Sequence, residues 1–418
     1  MSTIEAAPRQ RHQPKRMALR FLGSGCVAFG VFLSGFVIAE PAPYELFMAL
    51  LIGSWFILGL PISRTTGALL AFMLVYMVGG FLSLTQMGAI GTAPIYMGVT
   101  LFLALSSVFY CAIIEDDWHR LRLIFNAWVA AAVMTALLGI GGYFSLFPGS
   151  EVFTLYDRAK GAFQDPNVFG PFLAAPALYL IHSILTGRAA TLPLKAACLG
   201  IITIGVLLSF SRAAWALFLF SAMTMILVMF IKERSGAFRL KIIALALGGL
   251  VFAVLAIIVA LQIPEVSDLL LSRTSLVQEY DGGHLGRFDR HRIGFLNAMG
   301  EPLGIGPLVF GTIWGEDEHN IWLKSLTSYG WLGFLAYIGL AATTLWLGFR
   351  YLLRDRPWQP FLMVGWIVLL GHQLIGNVID TDHWRHHFML YGIVWGCIAL
   401  EHAHRRARAR RNIRHDAL

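Results

Sequence analysis

Long runs of apolar residues alternate with short polar connections along most of the 418-residue chain. A bilayer offers the backbone no hydrogen bonds, so a run that crosses it must form a helix of roughly 20 residues. The pattern predicts twelve such helices, at 17–39, 44–60, 67–84, 94–114, 121–146, 168–185, 192–210, 213–231, 241–261, 329–349, 359–378 and 387–400. The first run lacks a small-residue cleavage site and is too long for a cleaved signal, so it counts as a span.

The composition agrees with this pattern. Hydrophobic residues make up 57% of the chain and charged residues 13%, which excludes a water-soluble globular domain of this size. We therefore predict an all-α integral membrane protein with about 12 transmembrane helices, forming one polytopic domain over 1–418. A long loop, 263–318, separates the ninth and tenth spans, and a basic tail follows at 401–418.

The basic residues predict the orientation of the chain. Twenty-one lysines and arginines fall in one set of connections and nine in the other, which places the first set and both termini in the cytoplasm. The formal net charge of +8 then reflects topology and the anionic lipid bilayer surface. No nucleic acid partner is expected, because the basic residues never gather on one soluble domain.

The four cysteines all fall within predicted spans, at Cys26, Cys111, Cys198 and Cys397. No CxxC pair and no cysteine–histidine spacing suggests a metal, and no pair outside the spans suggests a disulfide. These residues are best interpreted as small apolar packing residues.

The long outer loop contains two predicted helices. Pro264 opens the first, at 265–276, since proline suits a first helical turn. The second, at 284–299, places Arg287 and His291 beside an apolar stripe and Arg290 roughly opposite it. The stripe consists of Leu285, Phe288, Phe295, Leu296 and Met299. A helix lying in the membrane interface explains this pattern, and a surface helix with solvated arginines is the alternative.

An acidic run ends the loop, at Glu316, Asp317 and Glu318, just before His319. Asp317 is the predicted N-cap of the next helix, which would place His319 in its first turn. A neutral histidine oriented by a carboxylate suits a general base, although a solvated loop histidine is the common alternative. A metal bound by the three acids is less favoured, because adjacent residues rarely converge on one ion. We predict no metal.

Two further arginines lie close to the outer membrane boundary. Arg212 sits between two spans joined by almost no loop, so it faces either an anionic partner or the lipid headgroups. Arg158 precedes the turn at Pro166 and Asn167 and could equally be solvated. Arginine suits phosphate, and no nucleotide or other cofactor motif occurs, so a lipid-linked phosphate or pyrophosphate donor fits best.

In their order these residues resemble the O-antigen ligase family from about residue 150 to 345. The motifs are Arg158 with Gly161, Phe163, Pro166 and Asn167; Ser211, Arg212 and Trp215; Gly286 and Arg287; Pro302, Leu303, Gly304 and Gly306; and His319 and Asn320. That family includes lipopolysaccharide ligases and is related to O-antigen polymerases and bacterial protein O-oligosaccharyltransferases. His291 departs from the pattern, which often has tryptophan there.

The resemblance implies a metal-independent, inverting glycosyl transfer on the periplasmic face of the bacterial inner membrane. The donor would be polysaccharide on undecaprenyl pyrophosphate, and the acceptor a hydroxyl of the lipid A–core oligosaccharide. The fold would be related to the C-type glycosyltransferases. Arg212, Arg287 and Arg158 would hold the pyrophosphate, with Asn167 and Arg290 as further substrate-binding candidates, and His319 would be the base.

Three alternatives remain: an O-antigen polymerase, a protein O-oligosaccharyltransferase, and a transporter of lipid-linked sugars. A transporter should carry ionisable residues at mid-span, and only His182 and His372 lie that deep in the predicted spans. The other outer histidines, His383, His386 and His387, are predicted to lie at the membrane interface.

Overall fold

The apolar stretches form long α-helices. The computed structural model describes residues 14–59, 62–262, 266–267 and 286–416. Its helices are α1 (Pro14–Leu33), α2 (Pro43–Ile57), α3 (Arg64–Leu84), α4 (Ala93–Asp116), α5 (Arg120–Tyr143), α6 (Pro166–Phe172), α7 (Ala174–Thr186), α8 (Leu192–Leu208), α9 (Arg212–Lys232), α10 (Gly236–Leu261), α11 (Arg287–Gly300), α12 (Val309–Trp314), α13 (Ile321–Tyr351), α14 (Gln359–Ile375) and α15 (Arg385–Asp416).

Eight helical segments in the described part are long and apolar enough to cross a membrane. They are α3, α4, α5, Pro166–Thr186, Ala189–Leu208, α9, Gly236–Leu255 and α13. Three shorter apolar helices, Leu22–Leu33, α2 and α14, coincide with other predicted spans. The last predicted span lies within α15, whose apolar stretch is bounded by His387 and Glu401. The helical membrane fold is confirmed, whereas the count of twelve is not.

Small residues allow the helices to pack closely. Gly79 of α3 faces the backbone of α13, where an added Cβ would lie 2.5 Å from the carbonyl oxygen of Tyr329. Gly392 of α15 faces Ser107 of α4, where a Cβ would lie 2.7 Å from the carbonyl oxygen. Close backbone approach of this kind is how membrane helices gain packing energy. Cys111 and Cys397 are buried in the bundle and all four cysteines are free.

The connection between α5 and α6 is ordered by local structure. A 3₁₀ turn, Ser150–Phe153, leads into a short antiparallel hairpin of β1 (Thr154–Leu155) and β2 (Arg158–Ala159). Asp165 then caps α6, accepting the backbone N–H of Asn167 at 2.6 Å, and Pro166 occupies the first turn. The cap places Asn167 at the mouth of the bundle.

Helix α11 divides its residues between two faces. Arg290, Gly294 and Ala298 are buried, whereas the apolar side chains of Phe288, Phe295, Leu296 and Met299 are exposed. The exposed apolar face is what a helix at the membrane interface requires. Arg290 lies opposite it, as the pattern predicts. The predicted helix at 265–276, apart from residues 266–267, and Leu285 lie outside the described residues.

Helix α13 is broken at Gly330, whose φ of +65° lies in the left-handed region. The segment 301–306 packs against the break. The backbone N–H of Ile305 donates to the carbonyl of Thr327 at 2.8 Å, and that of Trp331 donates to the carbonyl of Pro302 at 2.9 Å. These hydrogen bonds join the segment 301–306 to α13 on both sides of the break.

Candidate active site

One cavity collects the predicted site residues. Its volume is about 1090 Å³, and its walls come from the β-hairpin and the ends of α6, α9, α11, α13 and α14. Five candidates line it: Arg158, Asn167, Arg212, Arg287 and His319. We call it the site cavity.

Arg158 is fixed by two other segments. Its Nε donates to the carbonyl of Ser209 at 2.8 Å, and its Nη2 donates to Oδ1 of Asn167 at 2.8 Å. The side chain is buried, so it is not the solvated residue of the alternative interpretation. Arg158 and Asn167 therefore form one rigid part of the cavity wall.

Arg212 is the first residue of α9, and only three residues separate it from the end of α8. Ser211 caps the helix by accepting the backbone N–H of Ala214 at 3.3 Å. The guanidinium charge and the positive end of the helix dipole thus act at the same place, which favours an anion there.

Arg287 begins α11 and lines the cavity together with Phe288. Arg290 does not line it. Its Nη1 pairs with Oε2 of Glu316 at 2.7 Å, and only 6% of its side chain is exposed. Arg290 holds the acidic segment in place.

His319 directly precedes α13 and adopts a left-handed φ of +49°. Asn320 is the N-cap, accepting the backbone N–H groups of Trp322 at 3.0 Å and Leu323 at 3.2 Å. The predictions that Asp317 caps this helix and that His319 lies in its first turn are therefore wrong. The carboxylate of Asp317 is instead bound by Nζ of Lys324 at 2.8 Å.

Two carboxylates face the two ring nitrogens of His319. Oδ2 of Asp380 lies 3.7 Å from Nδ1, and Oε2 of Glu316 lies 3.7 Å from Nε2. The side chain is 30% exposed, so it is open to the cavity. A histidine that is open to the cavity and has a carboxylate near each ring nitrogen is a candidate general base.

Asp380 belongs to a buried charge cluster that the sequence did not reveal. Nζ of Lys324 lies 2.8 Å from Asp317, 3.4 Å from Asp380 and 3.8 Å from Asp382. The hydroxyl of Tyr96 donates to Asp382. The one available signal was the pair of acids, Asp380 and Asp382, directly after an apolar span. Lys324 lies in the first turn of α13.

Comparison with known families now bears on this site. Residues 197–338 match the O-antigen ligase family. The family predicted from the motifs is thereby confirmed, over a shorter segment than the motifs suggested. The segment contains Arg212, Arg287 and His319, whereas Arg158 and Asn167 precede it. No curated protein matches the chain. The match supports a membrane enzyme of the O-antigen ligase type.

Within the matched segment, 197–338, the three acids before His319 have three different partners. Glu316 pairs with Arg290, Asp317 pairs with Lys324, and Glu318 accepts a hydrogen bond from the hydroxyl of Thr327. In the described part of the chain, no group of three or more His, Cys, Asp or Glu residues is placed to hold a metal ion. Each of the three acids thus has its own partner in the described structure.

Burial shifts the pKa of two of these carboxyl groups. Burial, with the nearby charge of Asp380, raises the pKa of Glu318 to about 7. Burial and the charge of Asp382 raise the pKa of Asp380, while Lys324 opposes them. Lys324 therefore helps to keep Asp380 ionised beside His319.

Two histidines predicted at the membrane interface are instead buried. Nδ1 of His387 lies 3.0 Å from Nδ1 of His372, and the ring of His386 stacks on Trp384. The neighbouring Arg385 forms ion pairs with Glu40 and Glu45, which join the start of α15 to the start of α2.

Proposed function

We propose that this protein transfers O-antigen polysaccharide from undecaprenyl pyrophosphate to a hydroxyl of the lipid A–core oligosaccharide. The observation that carries the proposal is the site cavity itself. Arg158, Asn167, Arg212, Arg287 and His319 come from four distant parts of the sequence, yet they line one cavity at the end of the bundle. The arginines proposed to bind phosphate thus lie in the same cavity as the candidate base.

The arginines serve the leaving group. Pyrophosphate on an anomeric carbon leaves readily once its growing negative charge is held. Arg212 and Arg287 both line the site cavity and supply planar donors that match phosphate oxygens. Arg158 carries a third positive charge, although its Nε and Nη2 already bind Ser209 and Asn167. Fixed charges that face the developing anion can stabilise the transition state without a metal ion.

His319 serves the acceptor. With the Nδ1 proton directed at Asp380, Nε2 is the nitrogen that takes the hydroxyl proton. The acceptor oxygen then bonds to the anomeric carbon as the bond from that carbon to the pyrophosphate oxygen breaks, with inversion. Arg290 neutralises Glu316 near Nε2, which lessens the hold of that carboxylate on the ring. Asp380 and Arg290 act through His319 and Glu316, so both are positioning residues.

The sidedness follows from the basic residues. Arg122, Lys232 and Arg356 gather at the end of the bundle away from the site cavity. By the positive-inside rule that end is cytoplasmic, and the site cavity opens to the periplasm of the bacterial inner membrane. A donor flipped across the membrane would arrive there already activated, so the enzyme needs no nucleotide cofactor.

Deletion of the gene distinguishes this activity from its alternatives. The proposal expects lipid-linked polymer to accumulate while lipid A–core stays uncapped. Single repeat units on the core would identify a polymerase instead. Normal lipopolysaccharide with underglycosylated proteins would identify a protein O-oligosaccharyltransferase. Loss of all periplasmic donor would identify a transporter. Complementation with the His319→Ala gene provides the control, since a ligase must then stay inactive.

A further inference from the structure

A second cavity lies at the other end of the bundle, and nothing in the proposed reaction uses it. Its volume is about 770 Å³, and it is lined by the first part of α5, the last turns of α7 and α9, and the start of α14. We call it the distal cavity. The same two helices, α9 and α14, run from the site cavity to the distal cavity. The 21 residues of α9 span about 30 Å, close to the thickness of the hydrocarbon layer.

The distal cavity carries three cationic side chains, of Arg122, Lys232 and Arg356. Two of them are partly neutralised. Nζ of Lys232 lies 3.1 Å from Asp355, and Nε of Arg356 lies 2.9 Å from Glu401. Arg122 is exposed on the wall, and it forms no ion pair within the described part of the chain. The carboxylates of Glu233 and Asp355 also line the cavity. Arg122 is thus its one cation without an ion-pair partner in the described residues, beside two partly compensated cations.

Its other walls are aromatic, formed by Trp118, Tyr179, Phe238 and Phe361. Aromatic rings beside arginine are typical of the level at which lipid headgroups meet the hydrocarbon layer. Phe238 belongs to α10, a helix that is almost fully exposed along its apolar length. The distal cavity therefore lies on the perimeter of the bundle, where lipid is the neighbouring phase.

We propose that the distal cavity binds the phosphate headgroup of an anionic phospholipid, with Arg122 and Lys232 as its main contacts. Basic pockets between membrane helices bind anionic headgroups in this way. A lipid seated there would also fill the space between the start of α10 and the rest of the bundle. A free phosphate ester offers the same charge, but it lacks the acyl chains that the aromatic and lipid-facing walls would contact.

Native mass spectrometry of the purified full-length chain tests the proposal, with phosphatidylglycerol and phosphatidylcholine titrated separately. We expect tighter binding of phosphatidylglycerol, and a loss of roughly fivefold in that affinity for Arg122→Gln. Lys232→Gln should give a second loss of similar size, since its partner Asp355 is exposed and a glutamine amide can still donate to Gln359, the other partner of Lys232. Phosphatidylcholine binding should not change.

The matched control is Arg188→Gln. Arg188 is an exposed arginine near the end of α7 that does not line the distal cavity. Equal weakening by Arg122→Gln and Arg188→Gln would mean general surface attraction and would overturn the proposal. Equal affinity for the two lipids would also overturn it. Full competition by soluble glycerol phosphate at the same concentration would assign the site to a free phosphate ester rather than a lipid.

Discussion

The site cavity and the distal cavity are both lined by α9, α14, arginines and one histidine, but the two histidines have different surroundings. Both nitrogens of His319 face carboxylates at 3.7 Å. The His182 ring has the Thr186 hydroxyl 3.5 Å from its Nδ1. Arginines alone give affinity for an anion. A histidine held between carboxylates adds the means to move a proton.

The largest difference in ligation activity should be between alanine variants of the two histidines. His319→Ala should lower ligation by roughly 10²–10⁴-fold, because the acceptor hydroxyl loses its base. His182→Ala should leave ligation close to wild type. The measurement is in vitro ligation by purified variants with saturating lipid-linked donor. Wild-type activity should survive EDTA, and activity within a few-fold of wild type for His319→Ala would remove the base assignment.

The arginines of the two cavities give the next comparison. Arg212→Ala and Arg287→Ala should each lower kcat/KM for ligation roughly 100-fold, since each removes a charge that faces the leaving pyrophosphate. Arg122→Ala should change it little. Donor binding and thermal stability of each variant establish that the protein is folded. Undiminished transfer by both site-cavity variants would contradict the donor assignment.

An aspartate–lysine pair accompanies each histidine comparison: Asp380, next to His319, pairs with Lys324, and Asp355 pairs with Lys232 on the wall of the distal cavity. Asp380→Asn should lower kcat roughly 10- to 100-fold, as losses of a group that orients a functional histidine do. The KM for the donor should stay unchanged, because Asp380 does not touch it. Asp355→Asn should match wild type. A rise in KM without a fall in kcat would show that Asp380 acts on binding instead.

The smallest effect concerns stability. The pKa of Glu318 is raised to about 7 in the folded protein by burial and by Asp380, so the folded state favours its protonated form. Its contribution to stability is therefore complete at low pH and is lost as the pH rises through 7. In a thermal melt from pH 5 to 8, Glu318→Gln should lose less stability than wild type, because the amide imitates the protonated acid. A parallel loss in both proteins would contradict this.

The sequence could predict that Arg158, Asn167 and Arg212 lie close together, because they flank apolar spans on the same side. The short turn before Arg212 limits where that residue can go. Arg158 and Asn167 lie near the same membrane boundary. Sidedness alone then brings them to one end of the bundle. The hydrogen bond between Arg158 and Asn167 depends on the hairpin and on the Asp165 cap. The spacing of apolar residues does not predict either feature.

The sequence could not predict the carboxylate partner of His319. Asp380 and Lys324 are 56 positions apart and meet only because α13 and α14 bring their outer ends together. The prediction that Asp317 caps α13 failed for the same reason, a contact that only the folded structure shows. Asp317 and Asn320 are equally good caps by residue type. Because Lys324 binds the carboxylate of Asp317, Asn320 is the residue that caps α13.

The break at Gly330 limits how this enzyme can be recombined with its relatives. A Cβ on Gly304 would lie 2.6 Å from the carbonyl oxygen of Thr327, and one on Gly330 would lie 2.7 Å from the carbonyl carbon of Leu303. The backbone beside each glycine fills the space that a Cβ on the other glycine would need. A segment with a different backbone path would therefore not fit against either one. Chimaeras that exchange substrate preference should therefore inherit 301–331 from a single parent, and crossover points inside that stretch would separate two halves that fit only each other.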